Sequence, residues 1–175
     1  MKKLNLNLFK FILIFFLTLS NLAFSETKII SYNAIEVGVT DGDSLRFGKE
    51  RIRLFGIDAP EIKQICNDKF KKPYACGEEA KKNLDEFILS ASAAKKKIYC
   101  YYSERDKYNR ILGECFWGET KKININRFMV LFGHAIAYLR YSGKYLDEQE
   151  IAKAIKLGLW QGDFDMPEDW RKKNK

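Results

Sequence analysis

Histidine is almost missing from this chain: among 175 residues there is one, His134. The four cysteines, Cys66, Cys76, Cys100 and Cys115, include no close CxxC pair. A zinc site needs such pairs or several histidines, so zinc is not expected. There is no repeat, no low-complexity tract and no Pro/Gly-rich linker after residue 25, and one domain is expected there. The apolar run Phe11 to Leu17, "FILIFFL", is too short for a comfortable membrane span. Lys2, Lys3 and Lys10 precede it and the small-x-small series Ala23-Phe24-Ser25 follows. That order reads as a signal peptide over residues 1–25, cleaved after Ser25, with an uncleaved anchor as the alternative. No cysteine follows the run closely, which argues against a lipoprotein. The expectation is an exported protein, periplasmic or extracellular, with no stable membrane association after cleavage.

What remains, residues 26–175, is about 150 residues long, enough for a proper core. It carries 28 basic and 23 acidic side chains, a balance of +5. This is a moderate bias toward anionic partners such as nucleic acid. The lysine runs at 71–72, 81–82 and 95–97 are read mostly as solvated surface. Four cysteines in an exported chain favour disulfides, with three possible pairings.

The first half reads as strands: "AIEVGV", the turn "TDGD", "SLRF", the turn "GKE", then "RIRLFG". In the last of these, Ile52 and Leu54 alternate with Arg51 and Arg53, which places both arginines on the face away from the core. A polar loop from Pro60 to about Tyr74 precedes a helix from Cys76 to about Ser90, with Ala80, Leu84, Phe87 and Ile88 as its apolar stripe. "KKIYCYYSE" and "ILGECFWGE" form a hairpin-like pair. Cys100 and Cys115 sit on its two arms, at disulfide distance if they face each other, which leaves Cys66 and Cys76 to close the loop before the helix. A second helix has the stripe Ile125, Phe128, Met129 and Phe132, an Asn124 cap and a Gly133 stop. A third has the stripe Ile151, Ala152, Ile155 and Leu159. The sum is an α+β domain whose short strands can close into a small barrel.

Asp43, Asp58 and Glu61 are candidate oxygen ligands or bases on turns, and such groups suit calcium or another hard cation. Asp-Gly is also a common hairpin signal, so "DGD" alone is as readily a turn. Arg53 offers a planar fork for phosphate oxygens, or an ion pair with one of these carboxylates. A cation site, two arginines and a spare carboxylate together suit phosphodiester hydrolysis. His134 follows a helix stop without an evident partner and is read as structural. Tyr138 and Tyr141 are candidates for base stacking or for core packing. Trp160 and Trp170 are read as packing anchors for the C-terminal tail.

"VTDGDSLRF", "RIRLFGIDAPE" and "DKYNR", in that order, resemble the thermonuclease family, the homologues of staphylococcal nuclease. The ending "GLWQGDFDMPEDWR" resembles the tail of exported bacterial members. The resemblance runs from about Ile35 to Arg171. It implies a five-stranded OB-fold β-barrel with three helices, and a calcium-dependent nuclease cleaving DNA and RNA to leave 3′-phosphate ends, acting as a monomer. A non-catalytic OB-fold module that binds nucleic acid is the alternative. By motif position, Asp43, Asp58 and the backbone carbonyl of Ala59 would hold Ca2+. Arg53 and Arg110 would bind phosphate, with Glu61 as the base or water-orienting carboxylate. Lys107 and Tyr108 would border the nucleotide pocket, with Tyr138 nearby. Ala59 stands where threonine is usual. Asn109 stands where glycine is usual, and asparagine is the substitute that best tolerates positive φ.

Overall fold

The computed structural model describes residues 26–119 and 123–174. The expected signal segment, residues 1–25, lies outside the described residues. The sheet grows from period-two alternation. In β3 (Ser44–Phe47) and β4 (Glu50–Leu54), Leu45, Phe47, Ile52 and Leu54 turn inward and are fully buried. With β2 (Val37–Asp41) these strands form an antiparallel meander. β8 (Lys97–Tyr102) and β9 (Ile111–Trp117) pair antiparallel, and β9 then lies parallel to β4. A parallel neighbour requires a long crossover. The connection after β4 provides it and includes α1 (Cys76–Ala93). Five strands in the order β8-β9-β4-β3-β2, with a helix entering before β8, make the expected α+β OB-fold.

Several elements depart from the sequence reading. An added strand, β1 (Lys28–Asn33), extends the sheet beside β8. The first part of the strand expected over "AIEVGV" is instead a 3-10 turn, Ala34–Glu36. Its cause is local: the Glu36 carboxylate accepts from the Asn33 backbone N–H and side-chain amide at 3.2 and 2.9 Å. The polar loop holds a small ladder of β6 (Cys66–Asn67) and β7 (Pro73–Tyr74). Both disulfides form, Cys66–Cys76 and Cys100–Cys115, the latter across directly paired positions of β8 and β9.

Alongside α1, α2 (Ile125–Leu131) follows β10 (Ile123–Asn124). It has the expected cap, with Asn124 accepting from the Arg127 N–H, and Gly133 follows at a φ of 70°. α3 (Leu146–Ala154) is shorter than expected and its stripe is different. Ile151 and Ile155 are 47% and 62% exposed, and Leu159 is buried in a separate turn, Gly158–Gln161. The chain leaves the helix because Lys156 takes a φ of 55°. The inward residues are Ala152 and Gln149, whose side-chain oxygen accepts from the Ala137 N–H at 3.0 Å. A fourth helix, α4 (Pro167–Lys173), is formed by the tail and adds to the three expected. Among the described residues no helix is long and apolar enough to cross a membrane.

Asn126 ties α2 to the parallel junction. Its amide donates to the carbonyls of Phe55 and Gly113 at 2.9 and 3.1 Å and its oxygen accepts from the Cys115 N–H at 3.0 Å, with Asn126 itself at zero exposure. Asn126→Ala removes this partner from the Cys115 N–H and the Phe55 carbonyl, each costing ~1–3 kcal/mol if unsatisfied, while the Gly113 carbonyl keeps the Phe55 N–H at 2.8 Å. Denaturant unfolding should show a loss of at least ~2 kcal/mol. A loss below ~0.5 kcal/mol would mean that water replaces the amide.

Candidate active site

β4 and its exit turn carry most of the site. Because Ile52 and Leu54 point inward, Arg51 and Arg53 point the other way, as the alternation requires. Arg51 donates to the Tyr108 carbonyl at 2.8 Å. The Arg53 guanidinium reaches Asp43 at 2.5 Å with one nitrogen and Asp58 at 2.8 Å with the other. Asp43 sits on the turn between β2 and β3, and its second oxygen accepts from the Ala59 N–H at 3.0 Å. Asp58 ends β5 (Ile57–Asp58), which is pinned by pairing with β11 (Ile136–Ala137). Gly42 allows this close approach: a Cβ there would lie 2.7 Å from the Ala59 methyl carbon. Asp43 and Asp58 are 3% and 0% exposed. Neither carboxylate could stay ionised there without partners of opposite charge.

The local electrostatics follow from this crowding. Burial, reinforced by the charge of Asp43, pushes the Asp41 carboxyl up to about 6. Burial also raises Asp58; bonds from Arg171 pull it back, the charge of Asp43 pushes it further, and the Arg53 charge pulls it down.

Glu61 follows on the same turn. Its backbone N–H donates to the Gln64 side-chain oxygen at 3.3 Å, and its carbonyl accepts from the Gln64 N–H at 2.7 Å. α1 packs directly on this turn, and a Cβ at Gly77 would lie 1.8 Å from the Glu61 carbonyl oxygen, so any other residue would displace it. The Glu61 carboxylate is held from the far end of the chain. Arg171, on α4, donates to it at 2.9 Å and grips both oxygens of Asp58 at 3.0 and 2.8 Å.

The opposite wall comes from the turn before β9. Arg110 is braced by Asp106, which accepts from its Nε at 2.8 Å and from its backbone N–H at 2.9 Å. Tyr108 lies beneath two cations, Lys107 at 4.9 Å and Arg110 at 5.7 Å from the ring centre. Asn109 has a φ of 62°, the conformation for which glycine or asparagine is suited. A cavity of about 600 Å³ joins these groups. Arg53, Glu61, Arg110, Lys107, Tyr108 and Tyr138 all line it, with Asp43 and Ala59 at its base. Tyr141 lines it as well and packs edge-on against Tyr138, with ring centres 4.9 Å apart.

The sequence-derived candidates therefore converge on this cavity, except that Asp58 does not line it and lies behind its wall, fully buried on Arg53 and Arg171. Asp41, Asp106, Gln64 and Arg171 were missed. Asp41 and Asp106 lie inside the quoted motifs and were legible as extra acids; Gln64 closes a local turn on Glu61, but its bond to Asp165 and the contacts of Arg171 are tertiary, with no local signal. His134 is away from the cavity, and burial lowers its pKa to about 4. Trp160 packs with Phe164, ring centres 5.0 Å apart, over the Cys66–Cys76 disulfide and Leu159, as a tail anchor should. Trp170 is half-buried on α4.

Residues 51–162 match the family model described as staphylococcal nuclease homologue. The chain belongs to that family. A Haemophilus influenzae protein named as an endonuclease is 33% identical over 147 residues, covering 79% of this chain and 72% of its own length. The Micrococcal nuclease of Shigella flexneri is 32% identical over 155 residues, covering 79% of this chain and 80% of its own. The Succinoglycan biosynthesis protein ExoI of Rhizobium meliloti is 33% identical over 127 residues, 72% of this chain but 63% of that protein. Of these three relatives, the chain spans less than two thirds of the third and more of the other two.

All side-chain donors at the cavity base are carboxylate oxygens, with no histidine or cysteine, which in kind fits a hard cation. Among the described residues no three acidic, histidine or cysteine side chains are arranged as a ready cage. Backbone oxygen and water would have to complete the shell.

Two predictions follow from the geometry. Asn109→Gly should leave stability within ~1 kcal/mol, whereas Asn109→Val forces a β-branched residue to positive φ and should cost at least ~1–2 kcal/mol. Equal unfolding midpoints for the two would contradict the strain argument. His134 is neutral when folded but protonated below about pH 6.5 when unfolded. Its contribution to stability is full above that pH and is lost as pH falls toward about 4. His134→Gln should flatten the acid limb of the stability profile in that window, and an unchanged limb would contradict it.

Proposed function

We propose that this member of the staphylococcal nuclease family hydrolyses the phosphodiester bonds of DNA and RNA, leaving 3′-phosphate ends. One observation carries the reading: a single cavity gathers two cationic forks, Arg53 and Arg110, a partly exposed carboxylate, Glu61, and the buried Asp43, with Asp58 directly behind its wall on Arg53. Asp43, Asp58 and the Ala59 carbonyl would hold calcium, which when bound supplies Lewis-acid stabilisation of charge growing on the phosphoryl oxygens. Glu61 orients a water and accepts its proton as the water oxygen attacks phosphorus in line. The bond from phosphorus to the 5′-oxygen breaks, and that oxygen takes up a proton. Arg53 and Arg110 bind the phosphoryl group and stabilise its charge. Tyr108 and Tyr138 offer faces to the flanking bases, and Lys107 adds charge along the strand. We read the chain as an exported monomer: the segment at residues 1–25 has the order of a signal peptide, and two disulfides suit an oxidising compartment.

The test is fragmentation of heat-denatured DNA and of RNA by the oxidised protein, with calcium or with a chelator. Cleavage should require calcium, and the fragments should end in 3′-phosphate. Arg53→Ala or Arg110→Ala should lower kcat by ~10²–10³, the usual loss for one charge-stabilising donor. Near-normal turnover by Arg53→Ala would overturn its role. Tight binding of nucleic acid in calcium without any shortening would favour a binding module instead.

A further inference from the structure

We propose that Arg171 is a positioning residue for Glu61, so that the C-terminal helix completes the active site. The inference rests on the nuclease reading above. The Glu61 side chain is 40% exposed, and packing alone does not fix it. Its carboxylate is instead bonded to Arg171 Nη1 at 2.9 Å, and the same nitrogen bonds Asp58 Oδ1 at 3.0 Å. Nη2 adds a bond to Asp58 Oδ2 at 2.8 Å. One planar guanidinium thus fixes the distance and orientation of Glu61 relative to a carboxylate that is at zero exposure and also bonded by Arg53.

The tail grips Glu61 at its backbone as well. Gln64, fully buried, accepts from the Glu61 N–H through its side-chain oxygen and donates its amide to the Asp165 carbonyl at 2.7 Å. Asp165 lies just before α4, and Arg171 lies on it. The path from the Glu61 backbone through Gln64, Asp165 and α4 back to the Glu61 carboxylate is closed. α4 is tied to the rest of the domain by Glu168 to Arg140 at 3.0 Å, and Lys173 to Asp165 at 2.7 Å braces the tail on itself. A lysine at position 171 could not reproduce the fork, because an ammonium is a point donor without planar geometry.

The experiment is a double-mutant cycle on the oxidised protein, with kcat and KM measured on single-stranded DNA at saturating calcium. Arg171→Ala should lower kcat by about 10- to 100-fold, the scale of a misplaced catalytic group, and leave KM nearly unchanged. In a Glu61→Ala background the same substitution should lower kcat by less than about twofold, because the group it positions is gone. Lys173→Ala, which removes an exposed ion pair within the tail without touching the fork, should keep kcat. If Arg171→Ala does not fold, Arg171→Lys serves in its place and should show the same lack of additivity. The proposal is overturned if KM rises while kcat holds, which would make Arg171 a phosphate ligand. It is overturned equally if kcat rises, if the loss persists in the Glu61→Ala background, or if Lys173→Ala loses as much. Full activity of Glu61→Ala by itself would instead overturn the reading of the site on which the proposal rests.

Discussion

The Arg53 guanidinium lying between Asp43 and Asp58 is the constraint on which the site depends. Both carboxylates are buried, and each would be costly to ionise alone. Paired with one fork, they bring the β2–β3 turn and the exit of β4 into contact, and the Ala59 N–H bond to Asp43 locks the junction. The arrangement is a compromise. The oxygens that suit a hard cation are the ones that hold the arginine, so the cluster is held in place before any ligand arrives. The neighbouring Asp41 carboxyl is raised first by burial and then by the charge of Asp43.

The second wall depends on topology. Arg110 is more than fifty residues from Arg53, and the parallel pairing of β4 with β9 brings them together, with Arg53 opposite Leu112 in register. Asn126 reinforces that junction by occupying carbonyls and an N–H on both strands. A defect in this buried polar contact would therefore spread to catalytic geometry through the spacing of the two arginine-bearing strands.

The strands that carry the site were legible because their alternation is regular: Ile52 and Leu54 inward leaves Arg53 one direction to point. The disulfide pairs were legible from hairpin register, and Asn109 from its tolerance of positive φ. The 3-10 turn at Ala34–Glu36 was not, because one Asn–Glu contact overrides an apolar run that reads as strand. The α3 stripe misled because Gln149, a polar residue, takes the inward position by satisfying the Ala137 N–H. Arg171 was invisible for a different reason. Its role is set by contacts 110 and 113 residues away, and nothing local separates it from the basic residues that end many helices. The tail motif was recognisable, but its reach into the cavity was not.

The central claim is that the acidic base of the cavity takes up one hard cation beside the two arginines. Calorimetric titration of the oxidised protein with calcium tests it most directly. The account predicts one site per chain, abolished by Asp58→Asn and insensitive to replacement of surface acids such as Glu86. Absence of binding by the folded protein, with and without a nucleic-acid strand present, would contradict it.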